Sequence, residues 1–250
     1  MTPLEMVAVL AAGVAGGAIN TVVGSGSLIT FPTLLAVGLP PITANVSNNI
    51  GLVPGGLSGV MGYRPELKGQ RERLLRLAPA SVIGSLAGGL LLLTLPESSF
   101  NMIVSVLIAL SCALVLIQPR LSRLLSTRPG RAHGGPWLWL GTLAAGAYGG
   151  YFGAGQGILL IGLMGIMLDE ELQRINAAKN VLALLVNFTA AVLYILVADV
   201  DWLAVLLVAA GSAIGGFLGA RLGRRLPAPI LRGLIVCIGV AAIVKLLAQP

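Results

Sequence analysis

Gly24-Ser25-Gly26-Ser27 interrupts one apolar run of the chain, and Gly153-Ala154-Gly155-Gln156-Gly157 interrupts another. Each break opens a short apolar stretch, 27–38 or 157–168, of about 12 residues or roughly 18 Å as a helix. A helix N-terminus therefore starts at each break. Backbone N–H groups and the positive end of the helix dipole gather there, which suits an anion. Glycine lets the backbone come close to a ligand. Gly24, Ser25, Gly26, Ser27, Gly155, Gln156 and Gly157 are accordingly candidate binding residues, with the Gln156 amide as a direct donor. If the breaks enter from opposite faces of a membrane, the two ends approach each other in the interior.

A second constellation follows each break. Asn45, Ser47, Asn48 and Asn49 lie in the first half, and Asn176, Lys179 and Asn180 in the second. On a helix, residues three or four apart share a face. Asn45 stacks with Asn48 and Asn49, and Asn176 with Lys179 and Asn180. Amides in an apolar segment are costly unless paired. They either line a wet cavity, bond to the broken backbone, or glue helices together. Lys179 is the sharpest candidate, because an ammonium inside an apolar segment needs a partner or a cavity; the alternative is that it snorkels to the interface beside Arg174. Asn48, Asn49, Lys179 and Asn180 join the substrate-binding set. Asn20, Asn45, Ser47, Asn176 and Asn187 are secondary candidates.

The groups that are missing limit the chemistry. All nine carboxylates lie in loops or at segment ends, so carboxylate proton relays and cation sites are absent from helix centres. The single histidine, His133, falls in a basic loop, and one histidine cannot make a His-x-x-His metal site. Cys112 and Cys237 sit in apolar stretches and read as packing residues. Neither a catalytic set, a metal nor a cofactor is expected, which argues against an enzyme.

The elements that must hold these residues are membrane helices. Of 250 residues, 56% are hydrophobic and 10% charged, against about 25% charged in soluble domains. Hydropathy gives roughly ten stretches: 4–23, 27–38, 41–60, 74–95, 98–117, 136–152, 157–168, 174–198, 202–220 and 227–247. The net charge of +7 comes from short loops at 62–76, 118–135 and 221–225. This is the positive-inside pattern of cytoplasmic loops rather than a nucleic-acid surface. The turns at Glu97 and Asp199–Asp201 then lie outside, Asp169–Glu171 inside, and both termini outside. The first run lacks a basic n-region and leads straight into further membrane segments, so no cleaved signal peptide is expected.

The halves resemble each other. Gly24-Ser25-Gly26 aligns with Gly153-Ala154-Gly155, and Asn45, Asn48 and Asn49 align with Asn176, Lys179 and Asn180. The expected fold is all-α: a polytopic membrane protein of two inverted-topology repeats. Each repeat is a glycine-broken short-helix hairpin followed by three longer helices. Residues 1–118 form the first repeat, 119–135 a basic cytoplasmic linker, and 136–250 the second repeat, together one membrane domain. Inverted repeats with matching broken segments point to a transporter whose site lies at the breaks.

Gly16-Gly17-Ala18-Ile19-Asn20-Thr21-Val22-Val23-Gly24-Ser25-Gly26-Ser27-Leu28-Ile29-Thr30-Phe31-Pro32-Thr33-Leu34-Leu35, then Gly38-Leu39-Pro40-Pro41 and Ala44, resemble the TauE/SafE family of sulfite and organosulfonate exporters. The second break and the Asn176–Asn180 stretch echo this pattern, and the resemblance covers nearly the whole chain. Family members carry a richer glycine run at the first break, which Ser25 and Ser27 interrupt here. The resemblance implies a plasma-membrane transporter of small sulfur-containing anions. The alternatives are a passive anion channel and a transporter of another small organic anion. The expected partners are the anion and the bilayer, with no nucleic acid; a homodimer is an assembly the sequence leaves open.

Overall fold

The computed structural model describes residues 1–125 and 135–222, together with 237, 240 and 244. Among the described residues every regular element is a helix: α1 (Pro3–Val22), α2 (Ser27–Ala36), α3 (Pro41–Gly62), α4 (Arg71–Thr94), α5 (Glu97–Leu125), α6 (Pro136–Tyr151), α7 (Gln156–Met167), α8 (Leu172–Val197) and α9 (Trp202–Leu222). The bounds depart from the hydropathy stretches where a helix outlasts its apolar run. Helix α4 begins with the charged Arg71, Glu72 and Arg73, and α5 continues to Leu125, into the stretch expected as linker. The tenth stretch, 227–247, and His133 fall outside the described residues, apart from isolated positions of the former. Cys112 is buried as expected, whereas Cys237 is exposed, and both are free thiols.

Local chemistry sets the ends. Helix α1 starts with a capping box: Glu5 N–H donates to Thr2 Oγ1 at 3.3 Å, and Thr2 N–H donates to Glu5 Oε2 at 2.7 Å. Proline stands in the first turn of α1, α3 and α6, where its missing N–H costs nothing. Helices α1, α4, α8 and α9 are long and apolar enough to cross a bilayer. The ten residues of α2 and twelve of α7 reach only about 15 and 18 Å, half of the roughly 30 Å of hydrocarbon.

Helix α1 packs on α9 and α6 on α4; α3 packs on α9 and α8, and α4 also packs on α8. The contacts are backbone-close. A Cβ on Gly88 of α4 would lie 1.9 Å from the Ala147 carbonyl of α6, and one on Gly215 of α9 would lie 2.0 Å from the Val14 carbonyl of α1. Lipid gives helices no hydrophobic reason to associate, so small residues that allow this approach supply the packing. Leu4, Val7, Leu90, Val106, Leu196 and Leu206 stay exposed, an apolar exterior suited to acyl chains.

The turn before α8 is fastened to the turn before α4. Glu170 accepts from Arg73 Nη2 at 3.1 Å and from Arg174 Nε at 2.6 Å. Arg174 Nη1 also donates to the Lys68 carbonyl at 3.0 Å, and Gln70 Nε2 to the Arg174 carbonyl at 2.9 Å. Helix α7 therefore ends beside the far end of α3, whereas α2 ends, through Gly38 and Pro40, at the beginning of α3. The two half-helices run towards opposite ends of that helix.

Candidate functional site

The two breaks touch. Gly157 N–H donates to the Gly24 carbonyl at 3.1 Å. A Cβ on either glycine would come within 2.4 Å of the other's Cα. Gly24 also holds φ +87°, and Gly153 and Gly155 hold +77° and +80°, left-handed values that side chains resist. The hydrogen bonds repeat in register. Val23 and Gly24 N–H both donate to the Ile19 carbonyl, as Phe152 and Gly153 do to that of Tyr148. Ile29 and Thr30 N–H then donate to Gly26, as Ile158 and Leu159 do to Gly155. Neither α2 nor α7 has a side-chain cap at its N-terminus.

The polar residues of α3 and α8 reach across to the breaks. Asn45 Nδ2 donates to the Tyr151 carbonyl at the end of α6, at 2.9 Å. Asn176 Nδ2 lies 3.4 Å from the Thr21 carbonyl at the end of α1. Each amide thus satisfies a carbonyl that a helix end leaves without an intrahelical partner, and each does so for the other half of the chain. Lys179 is completely buried. Its Nζ donates to the Asn20 and Thr21 carbonyls at 3.0 and 3.1 Å. It does not snorkel: the cation sits at the negative end of α1, with its stem against Gly157. Asn48 Nδ2 donates to Ser27 Oγ at 3.2 Å.

Six buried polar atoms of the candidate residues have no hydrogen-bond partner among the described residues: Ser25 Oγ, Asn48 Oδ1, Asn49 Oδ1, Gln156 Nε2, Asn176 Oδ1 and Asn180 Nδ2. A buried polar atom left unpaired costs roughly 1–3 kcal/mol, so each of these atoms calls for a partner that the described residues do not supply. The other candidates are placed differently. Ser47 Oγ accepts the Asp201 N–H at 3.0 Å, tying α3 to the turn before α9. Gly26 packs on the Gly16 carbonyl, and Gly155 on Ser111. Asn20 contributes its carbonyl. Asn187 is buried in α8 about 10 Å further along than Asn180.

The sulfite exporter TauE/SafE family model matches residues 9–246. The chain belongs to this family. Among its relatives, the "Probable membrane transporter protein YfcA" of Escherichia coli K12 is 26% identical over 254 residues, covering 99% of this chain and 91% of that protein. A "Probable membrane transporter protein" of Haemophilus influenzae is 25% identical over 237 residues, covering 93% and 91%. The "Probable membrane transporter protein ORF9" of a Sinorhizobium species is 25% identical over 243 residues, covering 94% and 89%. No solved structure matches the chain. Family and relatives agree on a membrane transporter.

In this TauE/SafE chain, two groups around the second break escaped the reading of the sequence. Ser111 of α5 and Tyr148 of α6 both donate to the Ala154 carbonyl, and their hydroxyls lie 2.7 Å apart. Tyr194 of α8 donates to the Gly150 carbonyl. Ser111 is one of four serines in the apolar run 98–117 and resembles any helix-packing serine, so spacing alone does not single it out. Phe31 of α2 meets Phe152 edge-to-face at 5.1 Å, packing the first half-helix on the second break.

Proposed function

We propose that this chain is a secondary transporter that exports a small sulfur-containing anion, sulfite or an organosulfonate, across the bacterial inner membrane. The observation that carries the reading is the buried Lys179 beside two touching half-helix N-termini, together with buried amide atoms and a hydroxyl of the same elements that lack a partner among the described residues. No Asp or Glu occurs anywhere in α2, α3, α6, α7 or α8. A cation bonded only to carbonyls in low dielectric favours an anion as its third partner. The name of the matched family supplies the substrate class.

In this reading residues 1–118 and 136–250 are inverted repeats. Support comes from the register of the break hydrogen bonds, the reciprocal Asn45 and Asn176 contacts, and the matched packing of α1 on α9 and α6 on α4. The basic turns face the cytoplasm and both termini lie outside. Ser25, Asn48, Asn49, Gln156, Lys179 and Asn180 hold the anion, and rocking of one repeat against the other exposes it alternately.

The first test is thermal stabilisation of the purified protein by sulfite, sulfate, thiosulfate, small sulfonates and carboxylates. A ligand that binds the folded state raises the melting temperature by mass action. A shift with a sulfur anion that disappears in Lys179→Ala is expected. A shift with cations or neutral solutes, and none with any anion, overturns the reading. Saturation and counter-flow in vesicles then separate a carrier from a passive channel.

A further inference from the structure

A second basic site lies away from the breaks, at the end of α3 where the chain turns into α4. A cleft of about 790 Å³ opens there between α3, the turn and the last turn of α9. Among the described residues, Arg64, Lys68 and Arg221 line it and no Asp or Glu does. All three cations are exposed. The Arg221 guanidinium lies 4.1 Å over the Phe217 ring, which fixes its charge at the cleft mouth. Phe217 and Met61 also line the wall and are themselves 46% and 60% exposed.

Cations and apolar side chains in one cleft match a molecule with an anionic head and acyl tails. Helices α3 and α9 end here, so the cleft sits at the level of lipid headgroups, with Met61 and Phe217 on the acyl side. A soluble anion uses the three charges but gains nothing from the apolar lip. An acidic protein segment needs partners along an extended surface, and the structure shows one compact cleft. We propose that this cleft binds the phosphate headgroup of an anionic glycerophospholipid, with Arg64, Lys68 and Arg221 on the phosphate and with Met61 and Phe217 against the tails. Such basic pockets between membrane helices are a recurrent form of lipid recognition. The site is independent of the transport reading, since none of its residues touches the breaks.

The test uses the full chain purified in a neutral detergent and compares melting temperatures with phosphatidylglycerol, phosphatidylcholine and inorganic phosphate. Phosphatidylglycerol is expected to stabilise, and neither of the others to do so comparably. Each surface cation contributes about fivefold in affinity, so Arg64→Gln, Lys68→Gln and Arg221→Gln together weaken lipid binding about a hundredfold. These are exposed positions, so the triple variant keeps its fold and its anion response at the breaks. Equal shifts with phosphatidylcholine, or an undiminished phosphatidylglycerol shift in the triple variant, overturn the proposal. So does a phosphate shift as large as the lipid's, which makes the cleft a soluble-anion site.

Discussion

Lys179 joins two tasks that are usually separate. Its Nζ neutralises the carbonyl end of α1 through Asn20 and Thr21, yet α2, α3, α6, α7 and α8 hold no carboxylate to pair with its charge. Substitution therefore has two expected effects of different size. Lys179→Met keeps the stem that packs on Gly157 but removes both hydrogen bonds, leaving the Asn20 carbonyl unpaired and that of Thr21 with Asn176 alone, so the variant folds with a lowered melting temperature. Its response to the sulfur anion is lost altogether. A variant that melts lower but still responds in full would show that Lys179 only caps α1. Asn45→Ala is the structural counterpart. It removes the bond to Tyr151 at a cost of about 1 kcal/mol and leaves Lys179 untouched, so anion-induced stabilisation should persist from a lower baseline. The polarity of Asn45, Asn176 and Lys179 inside apolar runs was legible in the sequence. Which carbonyl each meets was not, because the partner lies over a hundred residues away and is set by where the ends of α6 and α1 come to lie beside α3 and α8.

At the scale of elements, the half-helices owe their shape to glycines that act in different ways. Gly24 needs both its positive φ and the space that Gly157 leaves. Gly157 has no special dihedral, but a Cβ there would lie 2.4 Å from the Gly24 Cα. Gly157→Ala is therefore expected to force the two breaks apart, reducing both melting temperature and transport. Gly38→Ala is the control: it keeps a φ of +91° with open space around it, so it costs about 1 kcal/mol of backbone strain and spares transport. Comparable transport defects in both variants would mean that a general loss of stability, and not the approach of the breaks, is what matters. The sequence showed where the short helices begin, because glycine runs punctuate hydropathy sharply. It placed the ends of α4 and α5 too early or too late, since hydropathy marks where the bilayer stops and a helix with Arg71 or Gln118 in it can continue into water. The tether of Ser111 and Tyr148 to Ala154 left no trace at this level either, since an isolated hydroxyl in an apolar helix bonds its own backbone equally well.

For the whole molecule, any motion that parts the α7–α8 turn from the α3–α4 turn must first break the clamp on Glu170. Burial pushes the Glu170 pKa up, but hydrogen bonds from Arg174 and Arg73, reinforced by their charges, outweigh it and hold the carboxyl below its ordinary value of 4.5. A carboxyl lowered on folding stabilises the folded state fully above its unfolded pKa and loses that contribution as pH falls through the folded value. The clamp is thus constant across neutral pH and weakens only below about pH 4.5. Glu170→Gln removes this dependence. At pH 7 it should lower the melting temperature, with a following Arg73→Gln adding less than it costs alone, because the two share one interaction. On acidification to pH 4 the parent should lose more stability than Glu170→Gln, so the two melting curves converge. If they stay parallel, Glu170 is not the group that senses acid. Hydrogen exchange supplies the mechanical reading: amides of 66–76 and 168–174 should exchange faster in Glu170→Gln at neutral pH while those of α1 and α9 do not change. Faster exchange everywhere would instead mean that the clamp supports the fold as a whole and does not latch one end of the transporter.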